Sequence, residues 1–366
     1  MWHSDRVLEA VLLVGGQGTR LRPLTVTTPK PMLPVAGVPC TEHQIARARE
    51  AGVTRVVLGT SYRAEVFRDH YGDGEALGVE LVYVTEDEPL GTGGAIRNVV
   101  DHLDSGPDDP VLVFNGDILS GLDIAALVRH HVENDADVTL YLTRVDDPRA
   151  FGLVPTDADG RVTAFLEKPS TPEEIVTDQI NAGCYVFRRS VIDAIPAGRP
   201  VSVERETFPG LLAAGAKVLG VVDTGYWLDL GTPLAFVRGS CDLVLGAAPS
   251  PALPGLPGER LLLEGATVAD SAEVVGGTVV GVGAHVGEGA YVDASVLHDR
   301  AVVGARARVR NSVIGVGARI GADTCLDGVV VGDGAVIGAG NELRDGARVW
   351  PGAVLGDTAV RFSSDR

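Results

Sequence analysis

Cysteines and basic residues are scarce in this sequence, and long apolar runs are absent near its start. The four cysteines, Cys40, Cys184, Cys241 and Cys325, form no Cys-x-x-Cys pair, so neither a disulfide framework nor a zinc site is expected. Lysine and arginine total 31 against 49 acidic residues, and the net charge of −18 opposes nucleic-acid binding. The apolar stretch Ala10–Val14 is too short for a signal peptide or a membrane span. We therefore expect a cytoplasmic protein that binds neither nucleic acid nor membrane.

A chain of 366 residues predicts two domains. Up to residue 245, short apolar runs alternate with amphipathic stretches, which is typical of a doubly wound, mostly parallel α/β sheet. A capping box at Thr41 and Gln44 predicts the start of a helix, and Gly52 its end. The predicted strands are Ala10–Val14, Arg55–Gly59, Glu80–Thr85, Val111–Asn115, Val138–Arg144, Val162–Glu167 and Ala182–Phe187.

Ligands of such sheets bind beyond the carboxyl ends of the strands. This rule points to the loops after Val14, Thr85 and Asn115. The first domain is predicted to span residues 1–245, and a linker rich in proline and glycine is predicted over 246–259.

From residue 260 to 360 the sequence has a different repeat. Aliphatic residues recur at spacings of six, six and five, which defines a coil of seventeen residues and predicts a parallel β-helix. Its resemblance to left-handed β-helix domains extends over about five coils. We expect this domain to serve in self-association, which predicts a homo-oligomer. The inward residues are predicted to be Val268, Val274, Val280, Val286, Val292, Leu297, Val303, Val309, Ile314, Ile320, Leu326, Val331, Ile337, Leu343 and Val349.

The loop after the first strand has the composition of a phosphate-binding loop. Gly15, Gly16 and Gly18 allow backbone N–H groups to approach a triphosphate, and Arg20 can bind the β- and γ-phosphates through two hydrogen bonds. The alternative interpretation is a glycine-rich turn that binds no ligand. Ten residues further on, Lys30 stands between two prolines, which present its ammonium rigidly to an α-phosphate.

These residues resemble the conserved pattern of the sugar-phosphate nucleotidyltransferases, in which Gly-Gly-x-Gly-Thr-Arg-Leu is followed by Pro-Lys-Pro. The similarity includes Thr19 and continues through Pro89–Thr92, which adds Gly91 and Thr92 to the nucleotide site. It covers nearly the whole first domain. In motif order and flanking residues it is most similar to the mannose-1-phosphate guanylyltransferases, whose substrates would be GTP and mannose 1-phosphate.

The resemblance also implies a metal site and a sugar site. Mg²⁺ would be held by Asp117 and Asp229, in agreement with the preference of this hard cation for one or two carboxylates. Lys168 would bind the sugar phosphate and Glu167 the hexose hydroxyls. Adjacent residues of a strand point to opposite faces of the sheet. Glu167 and Lys168 can therefore both face the ligand only if the strand ends at this point, and Pro169 favours such an end. Asn181 and the backbone at Gly152 would complete the hexose contacts.

Recognition of the nucleotide base is assigned to Glu86, and Glu88 is the alternative residue. The third interpretation is that these residues form a solvated acidic turn with no role in binding. Relatives that use thymidylate or uridylate carry glutamine at this position. A carboxylate only accepts hydrogen bonds, and it can bridge the N1–H and N2–H₂ donors of guanine.

The residues predict a single in-line displacement at the α-phosphorus of GTP, because no activated serine, cysteine or histidine nucleophile is evident. Arg20, Lys30, Asp117, Lys168 and Asp229 are the expected catalytic residues. Three other functions are weighed against this one. They are a thymidylyl-, uridylyl- or adenylyltransferase acting on glucose 1-phosphate, an acyltransferase using His285 or His298, and a non-catalytic regulator that binds a nucleotide-sugar.

Overall fold

A computed structural model describes residues 8–61, 63–253, 255 and 258–361. The expectation that the N-terminus lacks a signal peptide therefore lies partly outside the described residues. The chain divides into two compact units, of which the first comprises Met1–Gly16 with Gln44–Trp227 and the second Gln17–His43 with Leu228–Arg366. The first part of the chain has the following helices: α1 (Cys40–Glu50), α2 (Ala64–Tyr71), α3 (Gly91–Asn98), α4 (Ile124–Glu133), α5 (Arg189–Asp193), α6 (Phe208–Ala213) and α7 (Pro233–Val244).

The strands that precede the β-helix are β1 (Leu8–Leu13), β2 (Pro34–Val35), β3 (Val38–Pro39), β4 (Val53–Thr60), β5 (Glu80–Thr85), β6 (Pro110–Asn115), β7 (Ile118–Ser120), β8 (Val138–Arg144), β9 (Gly152–Leu153), β10 (Leu166–Glu167), β11 (Gln179–Arg188), β12 (Val218–Val222) and β13 (Trp227–Asp229). Short 3₁₀ helices lie at Thr19–Leu21, Leu24–Val26, Lys30–Met32, Glu75–Leu77, Val100–His102, Pro148–Ala150 and Pro172–Glu174, and a π-helical turn lies at Val203–Thr207.

The first unit is built on a mixed sheet with a parallel centre. Its strand order is β10-β9-β11-β6-β1-β4-β5, and β8 with β12 extends it from β11. Strand β1 pairs in parallel with both β4 and β6, and β4 pairs in parallel with β5. Strand β11 is antiparallel to β6 and β8. Because β5, β4, β1 and β6 run in the same direction, their carboxyl ends share one edge of the sheet, as the sequence predicted.

Aliphatic and aromatic side chains fill the core of this unit. Val11, Val57 and Val113, from three neighbouring strands, are fully buried together with Ile96 of α3 and Phe208 of α6. Residues of parallel strands that are covered on both faces are apolar in near-continuous runs, which is why these strands were visible in the sequence.

Two local predictions were wrong. Val162–Glu167 does not form one strand. Val162 makes an isolated antiparallel bridge to Thr156, across a turn in which Asp157 accepts the N–H of Arg161, and only Leu166–Glu167 forms a regular strand pair, with β9. The capping box is also absent. Thr41 lies inside α1 and donates to the carbonyl of Pro31 at 2.8 Å. Gln44 donates instead to the carbonyl of Asn115 at 2.7 Å.

The β-helix consists of short parallel strands in three sheets. The strands are β14 (Arg260–Leu262), β15 (Thr267–Val268), β16 (Glu273–Val275), β17 (Thr278–Val280), β18 (His285–Val286), β19 (Tyr291–Asp293), β20 (Val296–Leu297), β21 (Val302–Val303), β22 (Arg308–Arg310), β23 (Val313–Ile314), β24 (Arg319–Ile320), β25 (Cys325–Asp327), β26 (Val330–Val331), β27 (Val336–Ile337), β28 (Glu342–Arg344), β29 (Arg348–Val349) and β30 (Val354–Leu355).

Each of the three sheets contains every third strand of the β-helix. Their strand orders are β14-β17-β20-β23-β26-β29, β15-β18-β21-β24-β27-β30 and β16-β19-β22-β25-β28. Val280 pairs with Leu297 and Leu297 with Ile314, so the predicted coil of seventeen residues is correct for the middle of the β-helix. At its two ends Val268 pairs with Val286 and Val331 with Val349, a spacing of eighteen. Every predicted inward aliphatic from Val274 to Val349 is buried in one cluster, and Val268 packs against it. The predicted fold class is confirmed. The described part of 246–259 contains turns and bends but neither helix nor strand.

Candidate active site

The first unit gathers many of the predicted site residues at the carboxyl ends of its parallel strands. After β1 the chain reaches Gly15, whose missing Cβ would lie 2.8 Å from the hydroxyl oxygen of Ser61. That hydroxyl donates to the carbonyl of Gly15. Gly16, by contrast, is exposed, and a Cβ on it would meet nothing within 4 Å. Ser61 follows β4 and was missed by the sequence analysis, because a serine after a strand is no signal by itself.

Asp117 stands at the end of β6, in the turn that leads to β7, and is half-buried. The preceding Gly116 donates its N–H to the carbonyl of Leu13 at 2.9 Å, and a Cβ on Gly116 would lie 2.6 Å from that same oxygen. Only glycine therefore allows β1 and the turn to approach so closely. The sequence thus places a carboxylate directly beside the end of β1.

Glu86 is held in place at the end of β5. Its N–H donates to the carbonyl of Thr60 at 2.8 Å, and its Oε2 accepts the N–H of Leu90 at 3.2 Å. Burial raises the pKa of the Glu86 carboxyl, and the hydrogen bond from Leu90 opposes part of that rise. Glu88 is exposed. Of the two acidic residues considered for the base, Glu86 has the fixed orientation that a specific contact needs.

The start of α3 lies next to the segment 201–207. Gly91 has a φ of +69°, and a Cβ there would lie 2.7 Å from the carbonyl oxygen of Val201. The hydroxyl of Thr92 donates to Glu204 at 2.7 Å and accepts the N–H of Val203 at 3.0 Å. The side chain of Thr92 therefore joins two segments of this unit.

The predicted sugar-phosphate residues lie around β9 and β10. Strand β10 ends at Glu167, and Lys168 takes a φ of +50°. Its Nζ lies 3.4 Å from Oε1 of Glu167. The chain therefore bends after the strand, as the sequence analysis required for two adjacent residues to share one side. A Cβ on Gly152 would lie 2.9 Å from Oε2 of Glu167, so Gly152 leaves the space that this carboxylate occupies.

Two aromatic rings that the sequence analysis did not assign lie beside these residues. Phe151 and Trp227 meet edge to face with ring centroids 5.4 Å apart, and the indole N–H of Trp227 donates to the carbonyl of Ala182 at 3.0 Å. Asn181 lies in a bulge of β11, where its amide donates to the hydroxyl of Tyr185 at 2.8 Å and its oxygen accepts the N–H of Gly183. The signal in the sequence for Phe151 and Trp227 was their position, directly before Gly152 and two residues before Asp229.

The second unit carries the cationic residues of the glycine-rich loop. Gly18 has a φ of +59°, and a Cβ on it would lie 2.8 Å from Cβ of Lys30. The hydroxyl of Thr25 donates to the carbonyl of Gly18 at 2.8 Å. The turn from Thr19 to Leu21 is a 3₁₀ helix that leaves Thr19 and Arg20 exposed.

Lys30 and Asp229 lie together in this unit, with Nζ 3.9 Å from Oδ1. Their side chains are 11% and 25% exposed. Gly231, which the sequence analysis did not assign, is adjacent. Its missing Cβ would lie 2.6 Å from Nη2 of Arg20 and 2.8 Å from Oδ1 of Asp229. Arg20, Lys30 and Asp229, which are far apart in sequence, are therefore collected at one place, where two cations can receive phosphate oxygens beside a carboxylate.

The two histidines of the β-helix have structural environments. His285 shares a hydrogen bond with the hydroxyl of Thr267 at 2.8 Å. His298 is buried against Phe236, and burial lowers the pKa of its imidazole. The four cysteines are free thiols, of which three are buried.

Comparisons with known proteins agree with this architecture. A model of the nucleotidyl transferase family matches residues 9–244. The mannose-1-phosphate guanylyltransferase of Mycobacterium tuberculosis is 60% identical over 359 residues, which is 98% of each chain. The catalytic subunit beta of the same enzyme from Drosophila pseudoobscura pseudoobscura is 38% identical over 72% of this chain and 71% of its own.

Among solved structures, HddC from Yersinia pseudotuberculosis superposes with a TM-score of 0.55 and 28% identity, over 64% of this chain and 98% of its own. One structure of HddC is complexed with GMP-PN. A glucose-1-phosphate thymidylyltransferase from Bacillus anthracis, described as putative in its structure, shares the fold with a TM-score of 0.58 and 24% identity, over 64% of this chain and 94% of its own. The resemblance inferred from the motifs is confirmed: the chain belongs to the nucleotidyl transferase family.

Proposed function

We propose that this protein makes GDP-mannose and pyrophosphate from GTP and mannose 1-phosphate. The observation that carries the proposal is the 60% identity to a mannose-1-phosphate guanylyltransferase over 98% of both chains. A match of this extent spans the β-helix as well as the catalytic domain. The complex of HddC with a guanine nucleotide analogue supports the choice of a guanine base.

The reaction is a direct displacement. An oxygen of the sugar phosphate forms a bond to the α-phosphorus of GTP, while the bond from that phosphorus to the bridging oxygen breaks and pyrophosphate leaves with the electron pair. Lys30 neutralises charge at the α-phosphate, and Arg20 binds the leaving phosphates. Both side chains lie near Asp229, which orients them. Positioning and charge neutralisation supply the rate in transfers of this kind.

The sugar phosphate is bound around β10. The bend at Lys168 directs its ammonium to the same side as Glu167, which pairs with it at 3.4 Å. We assign the phosphate to Lys168 and the hexose hydroxyls to Glu167, with Trp227 and Phe151 as the apolar wall of the sugar site. The backbone of Gly152 and the bulge at Asn181 complete the sugar contacts.

The nucleotide is bound by the glycine-rich loop and by Glu86. Gly15, Gly16, Gly18 and Thr19 contribute backbone N–H groups to the phosphates, and the turn at Gly91 lies beside the nucleoside. The Glu86 carboxylate accepts the two neighbouring donors of guanine, since a carboxylate offers only acceptors. Its Oε2 also accepts the N–H of Leu90, which fixes the orientation of the carboxylate and leaves lone pairs on both oxygens for guanine.

Enzymes of this family generally use a divalent metal ion. We assign Mg²⁺ to Asp117 and Asp229, because carboxylate oxygens are the donors that this hard cation prefers. In the part of the chain that the structure describes, no group of three or more His, Cys, Asp or Glu residues forms a complete cation cage. Two carboxylates fit a cation that takes its remaining ligands from phosphates and water. When bound, the ion neutralises phosphate charge.

Within the described residues, no helix has the length and hydropathy needed to cross a bilayer. Cytoplasmic location and homo-oligomerisation stay predictions.

The test of the function is pyrophosphate release by the purified protein with Mg²⁺, using GTP, ATP, UTP or dTTP, each with mannose 1-phosphate or glucose 1-phosphate. We expect GTP with mannose 1-phosphate to be preferred. Preference for a pyrimidine triphosphate would refute the base assignment, and no release with any pair would refute catalysis.

A matched pair of variants tests the site. Lys30→Ala should lose most of the turnover, whereas Lys217→Ala, on a lysine that bonds to Asn134 away from the candidate site, should not. Normal turnover in Lys30→Ala would contradict its role.

A further inference from the structure

One sheet of the β-helix has an outer face that is covered by the chain itself. In the sheet β14-β17-β20-β23-β26-β29, one residue of each strand points into the coil and its neighbour points outward. In the four middle strands the outward residues are nevertheless buried, with at most 2% of their surface exposed: Val279, Val296, Val313 and Val330. Four valines in a row on the outside of a coil predict that another segment packs on them.

The covering elements belong to the same unit. Helix α7 packs on β17, and its Phe236 ring lies 6.2 Å from that of His298. At the first coil, a Cβ on Gly37 would lie 2.7 Å from Cδ1 of Leu263. The segment 17–43, which carries Gly18, Arg20 and Lys30, therefore contacts the first coil of the β-helix.

Two further hydrogen bonds tie this segment to the last coils. The hydroxyl of Thr27 donates to Oδ2 of Asp333 at 2.7 Å, and Nη1 of Arg348 donates to the carbonyl of Arg22 at 2.7 Å. In β29, Arg348 pairs with Val330, so it occupies the outward place that follows the four valines. The segment is thus held at both ends of the β-helix, at Gly37 and at Arg22.

These two bonds lie between the cationic residues of the candidate site. Arg22 is two residues beyond Arg20, and Thr27 is three residues before Lys30. A displacement of the intervening loop would therefore move both cations relative to a bound triphosphate. Neither Asp333 nor Arg348 belongs to any motif of the catalytic domain.

We propose that Asp333 and Arg348 of the β-helix are positioning residues for nucleotide binding, which hold the loop 22–27 so that Arg20 and Lys30 meet the triphosphate of GTP. This inference rests on the proposed function, because it assigns the loop to the triphosphate. It gives the β-helix a part in substrate affinity in addition to any part in assembly.

The variants that test it are Arg348→Ala, Arg348→Lys, Thr27→Val and the double variant of Arg348→Ala with Thr27→Val. Thr27→Val is preferred to a change of Asp333, because Oδ1 of Asp333 also accepts the N–H of Val316 within the β-helix. The matched control is Arg319→Ala, which removes an exposed arginine from the first position of β24 in another sheet. Lys30→Ala is measured alongside. All are assayed for pyrophosphate release, with KM for each substrate, kcat and Tm.

Arg348→Ala and Thr27→Val should each raise KM for GTP about threefold to tenfold, the range for one exposed hydrogen bond, and the double variant should raise it further. KM for mannose 1-phosphate should change less than about twofold. Arg348→Lys should restore most of the affinity, since an ammonium can also donate to the Arg22 carbonyl. Arg319→Ala should match the unaltered protein.

An unchanged KM for GTP in the double variant would overturn the proposal. So would an equal loss of affinity for both substrates with a lower Tm, because this would indicate a purely structural effect. If Lys30→Ala loses turnover while the double variant behaves normally, only the positioning role is refuted. If Lys30→Ala keeps normal turnover, the triphosphate role of the loop is refuted, and the positioning role with it.

Discussion

Replacing Gly18 by alanine should displace Lys30 without removing any group that binds a ligand. Gly18 has a φ of +59°, a conformation that costs an alanine about 1–2 kcal/mol. The added methyl would lie 2.8 Å from Cβ of Lys30 and 3.0 Å from Cγ2 of Thr25, so at least one neighbour must move. A misplacement of about 1 Å at a reacting centre costs about a hundredfold in rate. We expect kcat to fall by about that factor and stability by about 1–2 kcal/mol.

The matched control is Gly16→Ala, two residues earlier in the same loop. A Cβ on Gly16 meets nothing within 4 Å, and the residue is not in the left-handed region. The Tm of Gly16→Ala should therefore equal that of the unaltered protein. Any effect on activity should be a higher KM for GTP, because the added methyl would lie where the phosphates approach the loop. Pyrophosphate release and thermal unfolding measure both variants. A kcat for Gly18→Ala within about threefold of normal, against the hundredfold expected, would refute the argument.

Three further outcomes are expected. Glu86→Gln should lower the preference for GTP over UTP by about tenfold or more, because the amide cannot accept both guanine donors; an unchanged preference in the triphosphate panel would remove Glu86 from the base site. Because burial raises the pKa of Glu86, its carboxylate protonates at a higher pH than an ordinary glutamate, and KM for GTP should rise as pH falls through that raised value. The same pH series on Glu86→Gln should lack this rise, and its persistence would assign the titration to another group. Lys168→Ala should raise KM for mannose 1-phosphate about tenfold to a hundredfold and leave KM for GTP unchanged, the range for one charge-assisted hydrogen bond. Equal effects on both substrates would contradict its assignment to the sugar phosphate.

The β-helix could be predicted nearly residue by residue, because its inward positions depend on local spacing alone. From Val274 to Val349 each predicted aliphatic is in the core cluster, and each is placed by the coil length rather than by a distant partner. The parallel strands were visible for a similar reason, since Val11 and Val113 lie in continuous apolar runs. The strand predicted over Val162–Glu167 failed because its two ends pair with different partners. Val162 bridges to Thr156 and Leu166 pairs with Leu153, and an apolar pattern does not specify pairing partners.

The candidate site was predictable as a set of residues but not as an arrangement. The motifs identified Lys30 and Asp229 as site residues. The proximity of these two side chains, however, depends on how segments far apart in the chain fold together. The hydrogen bond between Thr92 and Glu204 joins positions 112 apart, and no spacing rule could have predicted it. Gly231 was missed because a glycine is informative only once its neighbour Arg20 has been located.

The hydrogen bond between Arg348 and Arg22 joins residues 326 positions apart. On the ribosome, which adds about 5–20 residues per second, the glycine-rich loop is therefore made long before its support. All strands of the parallel sheet are made before the β-helix, but the loop 22–27 receives these last two hydrogen bonds only when the final coils have emerged. A nascent or truncated chain that ends before Arg348 would carry every motif residue of the site and still bind its nucleotide weakly.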